Sequence, residues 1–136
     1  MKEVKLKIFL SYFFIISHFI IIGYLIKLRY INDEWISSED FQAAMSTIVP
    51  VLAMITTAII SYVIKNKNKS LKHSKNINSQ YLVISTIIPI IFLVSVFYLI
   101  HRQTITPVEN FIGLLGVIES LFGVYLGFII KSLYED

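Results

Sequence analysis

The chain has 136 residues, of which 56% are hydrophobic and only 15% are charged, and its formal net charge is +3. A soluble domain of this size carries more charge and less apolar surface, so the composition excludes that class and indicates an integral membrane protein. The absence of cysteine excludes disulfides, thiolate metal sites and cysteine nucleophiles.

Four apolar runs are long enough to cross a bilayer, which needs roughly 20 residues per helix. The segments between them are too short to bury a core of their own, so we predict one domain over residues 1–136. The prediction is an all-α integral membrane protein with four transmembrane helices, at about residues 8–28, 41–64, 81–100 and 107–134.

Two connections carry signals for the start of a helix. Ser37 followed by Asp40 is typical of a capping box, in which each side chain pairs with a free backbone amide at the start of the second helix. Thr106, Pro107 and Glu109 place an N-cap residue, a proline at the first helical position and an acid at the third. This pattern predicts that the fourth helix begins at residue 107, ahead of its apolar run.

The distribution of positive charge predicts the orientation. Nine of the 12 Lys and Arg residues lie in the N-terminal tail, in the connection of residues 65–80, or just after the last helix. By the positive-inside rule, both termini and this connection are cytoplasmic, and we expect the protein in a bacterial inner membrane. The lysines of the connection are Lys65, Lys67, Lys69, Lys72 and Lys75. Each contributes about 1 kcal/mol of attraction near an anionic leaflet, so the tract either rests on lipid headgroups or binds a cytosolic protein partner.

A stripe of small residues runs along the last helix with 3-4-3-4 spacing, which places its members on one face. The stripe consists of Gly113, Gly116, Ser120, Gly123 and Gly127. Small residues let a second helix backbone approach closely. The second helix offers a matching line, formed by Ala53, Thr57 and Ser61. We predict that these two faces pack together, within one chain or between chains, and that the protein forms a homo-oligomer.

Two polar residues lie near the predicted bilayer midplane. Glu119 is the only acid inside an apolar run, and His18 stands at the centre of the first run. A carboxylate in hydrocarbon costs several kcal/mol, so Glu119 should face protein or water. If helices one and four are neighbours, the two side chains can hydrogen-bond as a proton- or ion-binding pair. In the structural interpretation, Glu119 instead donates to a hydroxyl or carbonyl across a tight helix contact.

The chain resembles the small multipass subunits of bacterial antiphage defence systems, and most of all the membrane subunit of the Kiwa system. The resemblance lies in the four helices, the basic connection KNKNKSLKHSK, the glycine-rich helix FIGLLGVIESLFGVYLGFII and an Ile/Lys/Asn-rich composition. It is architectural, extends over the full length and transfers no residue roles. It implies an oligomeric inner-membrane component that senses phage attack and holds a cytosolic, DNA-binding effector.

We therefore predict an inner-membrane sensor or anchor subunit that recruits or regulates a cytosolic effector. One alternative is a small ion or proton channel or transporter whose path passes Glu119. Another is an immunity protein that meets a pore-forming bacteriocin with its acidic WISSED turn. The sequence has no phosphate-binding loop, no Ser/His/Asp arrangement and no paired intramembrane carboxylates, so we expect no enzymatic activity. We also expect no cofactor, no metal and no direct nucleic-acid binding.

Overall fold

The computed structural model describes residues 2–31, 35–66 and 76–134, and within them the chain forms four α-helices. They are α1 (Glu3–Tyr30), α2 (Ser38–Asn66), α3 (Ser79–Ile105) and α4 (Phe111–Tyr134). All four are long and apolar enough to cross a membrane. The predicted class, an all-α protein with four membrane-spanning helices, is confirmed. The cytoplasmic location of the termini stays a prediction.

The helices form a bundle in which successive helices run in opposite directions. We call the end with the α1–α2 and α3–α4 connections the hairpin end, and the opposite end the terminal end. The most extensive contact joins α2 to α4, α1 packs on α2, and α3 packs on α4. The contact between α1 and α3 is smaller, and α1 meets α4 only briefly across the diagonal. The order around the bundle is therefore α1, α2, α4, α3.

Two apolar clusters, stacked along the bundle, make up the described core. The hairpin-end cluster includes Leu25, Ile48, Leu99 and Leu115, and the terminal-end cluster includes Leu10, Ile55, Phe122 and Leu126. On α4 the buried residues recur every three or four positions, so they share one face of the helix. They are Phe111, Leu115, Glu119, Phe122, Leu126 and Ile129. This face attaches α4 to the bundle.

The predicted start of the fourth helix at residue 107 is wrong. Thr106 has an extended backbone that ends α3, and α4 begins only at Phe111. The Val108 amide, which an N-cap Thr106 would satisfy, donates instead to Gln103 Oε1 at 2.6 Å. Asn110 then adopts a left-handed φ of 54°, which asparagine tolerates better than most residues. The connection is thus a turn held by α3.

The predicted cap of the second helix is half confirmed. α2 begins directly after Ser37, whose hydroxyl oxygen accepts a hydrogen bond from the Asp40 amide at 3.0 Å. The reciprocal hydrogen bond of the box is not seen, and the Asp40 carboxylate instead accepts a hydrogen bond from Gln103 Nε2 at 3.2 Å. Gln103 therefore joins the start of α2 to the α3–α4 connection and fixes the hairpin end of the bundle.

Two tyrosines join α3 to α4 towards the terminal end. The Tyr125 hydroxyl donates to the Ile84 carbonyl oxygen at 3.1 Å, and the Tyr81 hydroxyl donates to Ser132 Oγ at 2.9 Å. Hydrogen bonds between helices hold specific contacts in a bilayer, where the hydrophobic effect does not drive helices together. They fix the register of α3 against α4.

Candidate functional site

His18 and Glu119 form a polar layer between the two apolar clusters. On its own helix, each residue lies between a member of the hairpin-end cluster and a member of the terminal-end cluster. Their side chains are 0% and 3% exposed, respectively. The structure therefore brings both of these predicted site residues to one level in the interior of the bundle.

The hydrogen bond predicted between these two residues is not formed. His18 Nδ1 donates to the Phe14 carbonyl oxygen of its own helix, at 2.8 Å. His18 Nε2 and Glu119 Oε2 are both buried and have no hydrogen-bond partner among the described residues. Glu119 Oε2 therefore does not donate to a hydroxyl or carbonyl of a neighbouring helix, as the structural interpretation expected. Buried polar atoms without partners are rare in folded proteins, so each of these two needs an explanation.

Phe122 links the polar layer to the terminal-end cluster. The His18 ring stacks on it with centroids 5.9 Å apart and an angle of 10° between the planes. Phe14 and Phe92 also pack against Phe122, which is fully buried one turn beyond Glu119. Sequence reasoning missed this residue, because a phenylalanine in an apolar run carries no signal of its own.

Most of the glycine stripe lies on the outside of the bundle. A Cβ atom at Gly116, Gly123 or Gly127 would meet no atom within 4 Å. With 3.6 residues per turn, the stripe lies roughly 125° around α4 from the buried face. α2 packs on α4 through the larger side chains of the two clusters. The within-chain version of the predicted stripe contact is therefore wrong.

Gly113 differs from the other members of the stripe. A Cβ atom there would collide with the side chain of Asn110, which precedes α4. The missing side chain at Gly113 thus gives the Asn110 side chain room against the first turn of α4. We call the remaining four residues, Gly116, Ser120, Gly123 and Gly127, the open stripe.

The matching line on α2 is also on the outside. Ala53, Thr57 and Ser61 are exposed, opposite the α2 face that contributes Ile48 and Ile55 to the core. Both small-residue faces that the sequence identified are consequently directed away from the interior of this chain. Of the two predicted arrangements, within one chain or between chains, only contacts between chains remain for these two faces.

The five lysines of the predicted partner surface are described only in part. Lys65 is exposed near the end of α2. Lys67, Lys69, Lys72 and Lys75 lie outside the described residues, so the prediction of a lipid or partner surface stays a prediction. Asp33 and Glu34 of the acidic connection are outside the described residues as well.

Lys7 has a structural role that the sequence analysis missed, since it was counted there only as a determinant of topology. It is 4% exposed, and its Nζ lies 2.8 Å from Glu3 Oε1. The same Nζ lies 4.6 Å from the centroid of the Tyr62 ring on α2. A glutamate four residues before a lysine on a helix was the signal that could have revealed the ion pair. Lys7 thus joins α1 to α2 at the terminal end.

The fold and the composition of its helices define a multipass, four-helix membrane protein. Within the described residues, no three His, Asp or Glu side chains come together in a group that could hold a metal ion. Comparison with models of protein families, with curated proteins and with solved structures finds no match for this chain.

Proposed function

We propose that the chain is a homo-oligomeric subunit of a bacterial inner membrane that acts as a sensor or anchor for a cytosolic effector. The proposed setting is an antiphage defence complex of the kind that its architecture resembles. Under this proposal the chain has no catalytic activity and needs no cofactor. The observation that carries the proposal is the open stripe, which faces away from the rest of the chain.

The open stripe supports oligomerisation because of what surrounds it on α4. The neighbouring outer positions hold large apolar side chains such as Val124 and Phe128, which are 62% and 71% exposed and suit contact with lipid. A line of glycines instead leaves a shallow groove, and a second helix fills such a groove with close backbone contacts. Ser120 adds a hydroxyl that can hydrogen-bond across the contact.

Oligomerisation strengthens the binding of an effector to the Lys-rich connection, which a single chain would bind only weakly. Each chain contributes one copy of residues 65–80, which contain the five lysines named above. Linking several copies in one assembly raises the effective concentration of binding sites, so modest contacts with an acidic effector surface add up to firm binding. We therefore assign the effector-binding role to this connection.

This assignment predicts a loss of protection when the five lysines are replaced by glutamine. The gene is expressed with its genomic neighbours in a phage-sensitive bacterium, and the efficiency of phage plating is measured. We expect the wild type to lower plating and the five-lysine variant to restore it to the level of cells without the gene, because the effector loses its charged binding surface.

The control replaces Lys2, Lys5 and Lys131, three other basic residues of the predicted cytoplasmic side, by glutamine. It should retain protection, as long as both variants reach the membrane in equal amounts. Wild-type protein that leaves plating unchanged, or a five-lysine variant that protects fully, would contradict the proposal.

The polar layer favours a second candidate function, the transfer of protons or cations through the bundle. Among the described residues, Glu119 Oε2 and His18 Nε2 are buried at one level of the bundle without a hydrogen-bond partner. Intramembrane ionisable residues commonly mark proton or ion pathways.

A further inference from the structure

A groove of about 600 Å³ runs between α1 and α3, on the side of the bundle opposite the α2–α4 contact. Its walls are apolar and include Phe13 and Ile20 of α1 and Val94 and Phe97 of α3. Ser17 also lines it, but its hydroxyl donates to the Phe13 carbonyl oxygen of its own helix. The volume lies within the range of about 300–1,000 Å³ that is typical of small-molecule sites.

The groove is as long as one leaflet of a bilayer is thick. Its lining residues on α3 extend from Ile90 to His101, which corresponds to about 16 Å at 1.5 Å per residue. Half of a hydrocarbon core of about 30 Å is about 15 Å. Val94 and Tyr98 are 61% and 65% exposed, so the groove is open sideways to lipid. These dimensions fit one acyl chain lying along the helices.

A polar bridge closes the groove at the hairpin end. The Tyr24 hydroxyl and His101 Nδ1 are 3.0 Å apart, in a hydrogen bond that joins α1 to α3. The Tyr24 ring stacks on Phe97 with centroids 4.9 Å apart. The bridge holds the two walls together where their direct contact is small, and it places hydrogen-bonding groups at the end of the third apolar run.

Basic residues follow the bridge residues along both helices at this end of the groove. α1 and α3 both end here, with Lys27 and Arg29 in the last turn of α1 and Arg102 in the last turn of α3. Lys27 lies one turn beyond Tyr24, Arg102 directly follows His101, and both are exposed. In the first turn of the neighbouring α2 the charges are acidic, from Glu39 and Asp40. Positive charge at the hairpin end is thus concentrated on the two helices that form the groove.

We propose that this groove binds an anionic phospholipid of the leaflet at the hairpin end. One acyl chain lies between α1 and α3, and the phosphate is held by Lys27 and Arg102 beside the Tyr24–His101 bridge. A cationic pair at headgroup depth complements a phosphate group. The site lies on the other side of the bundle from the open stripe, so it stands independently of the proposed oligomer.

Native mass spectrometry tests the proposal with protein released from nanodiscs that contain equal amounts of phosphatidylglycerol and phosphatidylcholine. We expect the wild type to retain phosphatidylglycerol with a preference on the order of tenfold, because two cations contribute to its binding. The Lys27→Gln/Arg102→Gln double variant should retain the two lipids about equally. Val94→Trp should retain neither, because the indole fills the groove.

Ile91→Trp is the matched control, because Ile91 is 58% exposed on the same helix but does not line the groove. It should behave as the wild type, and circular dichroism should show equal helix content in all variants. Equal retention of both lipids by the wild type, or undiminished retention by Val94→Trp, would overturn the proposal. A third result would also overturn it: the wild type retains no lipid, and Val94→Trp changes the number of chains per particle. A second copy of the chain would then occupy the groove.

Discussion

Replacing Gly123 by leucine should dissociate the oligomer while the fold of each chain stays intact. A Cβ atom at this position meets nothing within 4 Å in its own chain, so a side chain can start there without a clash in the bundle. In a contact between chains it holds the two helix backbones apart and removes their close packing. We expect association in lipid to weaken by about tenfold or more.

Dilution of labelled protein in liposomes, followed by energy transfer between chains, measures this loss. Val124→Leu is the matched control, because Val124 is the next residue and is 62% exposed, but lies outside the open stripe. Gly116→Leu should reproduce the effect of Gly123→Leu. Gly113→Leu should in addition displace the side chain of Asn110, with which a Cβ atom at this position collides. If Gly123→Leu associates as strongly as Val124→Leu, the open stripe is not the interface.

Replacing Glu119 by leucine should stabilise the chain. The carboxyl oxygen Oε2 is buried without a partner among the described residues, and such a group typically costs about 1–3 kcal/mol. An apolar side chain of similar size removes that cost, so we expect the free energy of unfolding to rise by about 1–3 kcal/mol. Unfolding in mixed micelles measures it, with the exposed Glu109→Leu as a control that should change little.

Proton flux into liposomes, measured on the same proteins, separates the two candidate functions. If the polar layer carries protons, the wild type conducts, and both Glu119→Leu and Glu119→Gln abolish the flux. The anchor function predicts no flux from any of the three. A loss of stability in Glu119→Leu would contradict our description of the site, because it would mean that the carboxyl group makes a favourable contact.

The four membrane-spanning helices could be predicted because the length of an apolar run reports directly on the thickness of hydrocarbon it can cross. Apart from the start of α2, which Ser37 marks, the helix ends could not be predicted, since hydropathy marks the part of a helix in lipid and not its last turn. Gln103 shows why. It lies beyond the third apolar run, yet its amide holds both the start of α2 and the α3–α4 connection. Such a role depends on contacts between helices, which no local pattern reports.

The spacing of the glycine stripe could be read from the sequence, but the direction in which the stripe faces could not. Small residues at helical spacing permit close approach to any helix, whereas the orientation of α4 follows from its larger side chains, such as Leu115 and Phe122. The common depth of Glu119 and His18 could be read from their positions in the runs. That these two residues form no hydrogen bond with each other could not be read from the sequence. His18 Nδ1 donates instead to the carbonyl oxygen of Phe14 in its own helix.

Other features arise only from the assembled bundle. The groove between α1 and α3 is lined by residues of both helices, and neither helix alone carries a signal for it. The Tyr24–His101 bridge joins residues 77 positions apart. These features follow from tertiary packing, which sequence periodicity does not report.

Cysteine cross-linking in native membranes tests most directly whether this chain assembles through α4. The chain has no cysteine, so Ser120→Cys introduces a single thiol in the middle of the open stripe. Leu121→Cys introduces one at a neighbouring position that is 57% exposed and lies about 100° further around the same helix. A disulfide needs Cα atoms within about 7 Å, a distance that only tight helix packing provides. We expect mild oxidation to convert Ser120→Cys into a dimer of twice 15.7 kDa and to leave Leu121→Cys as the monomer. A Ser120→Cys protein that stays monomeric, or that cross-links no better than Leu121→Cys, would contradict the assembly.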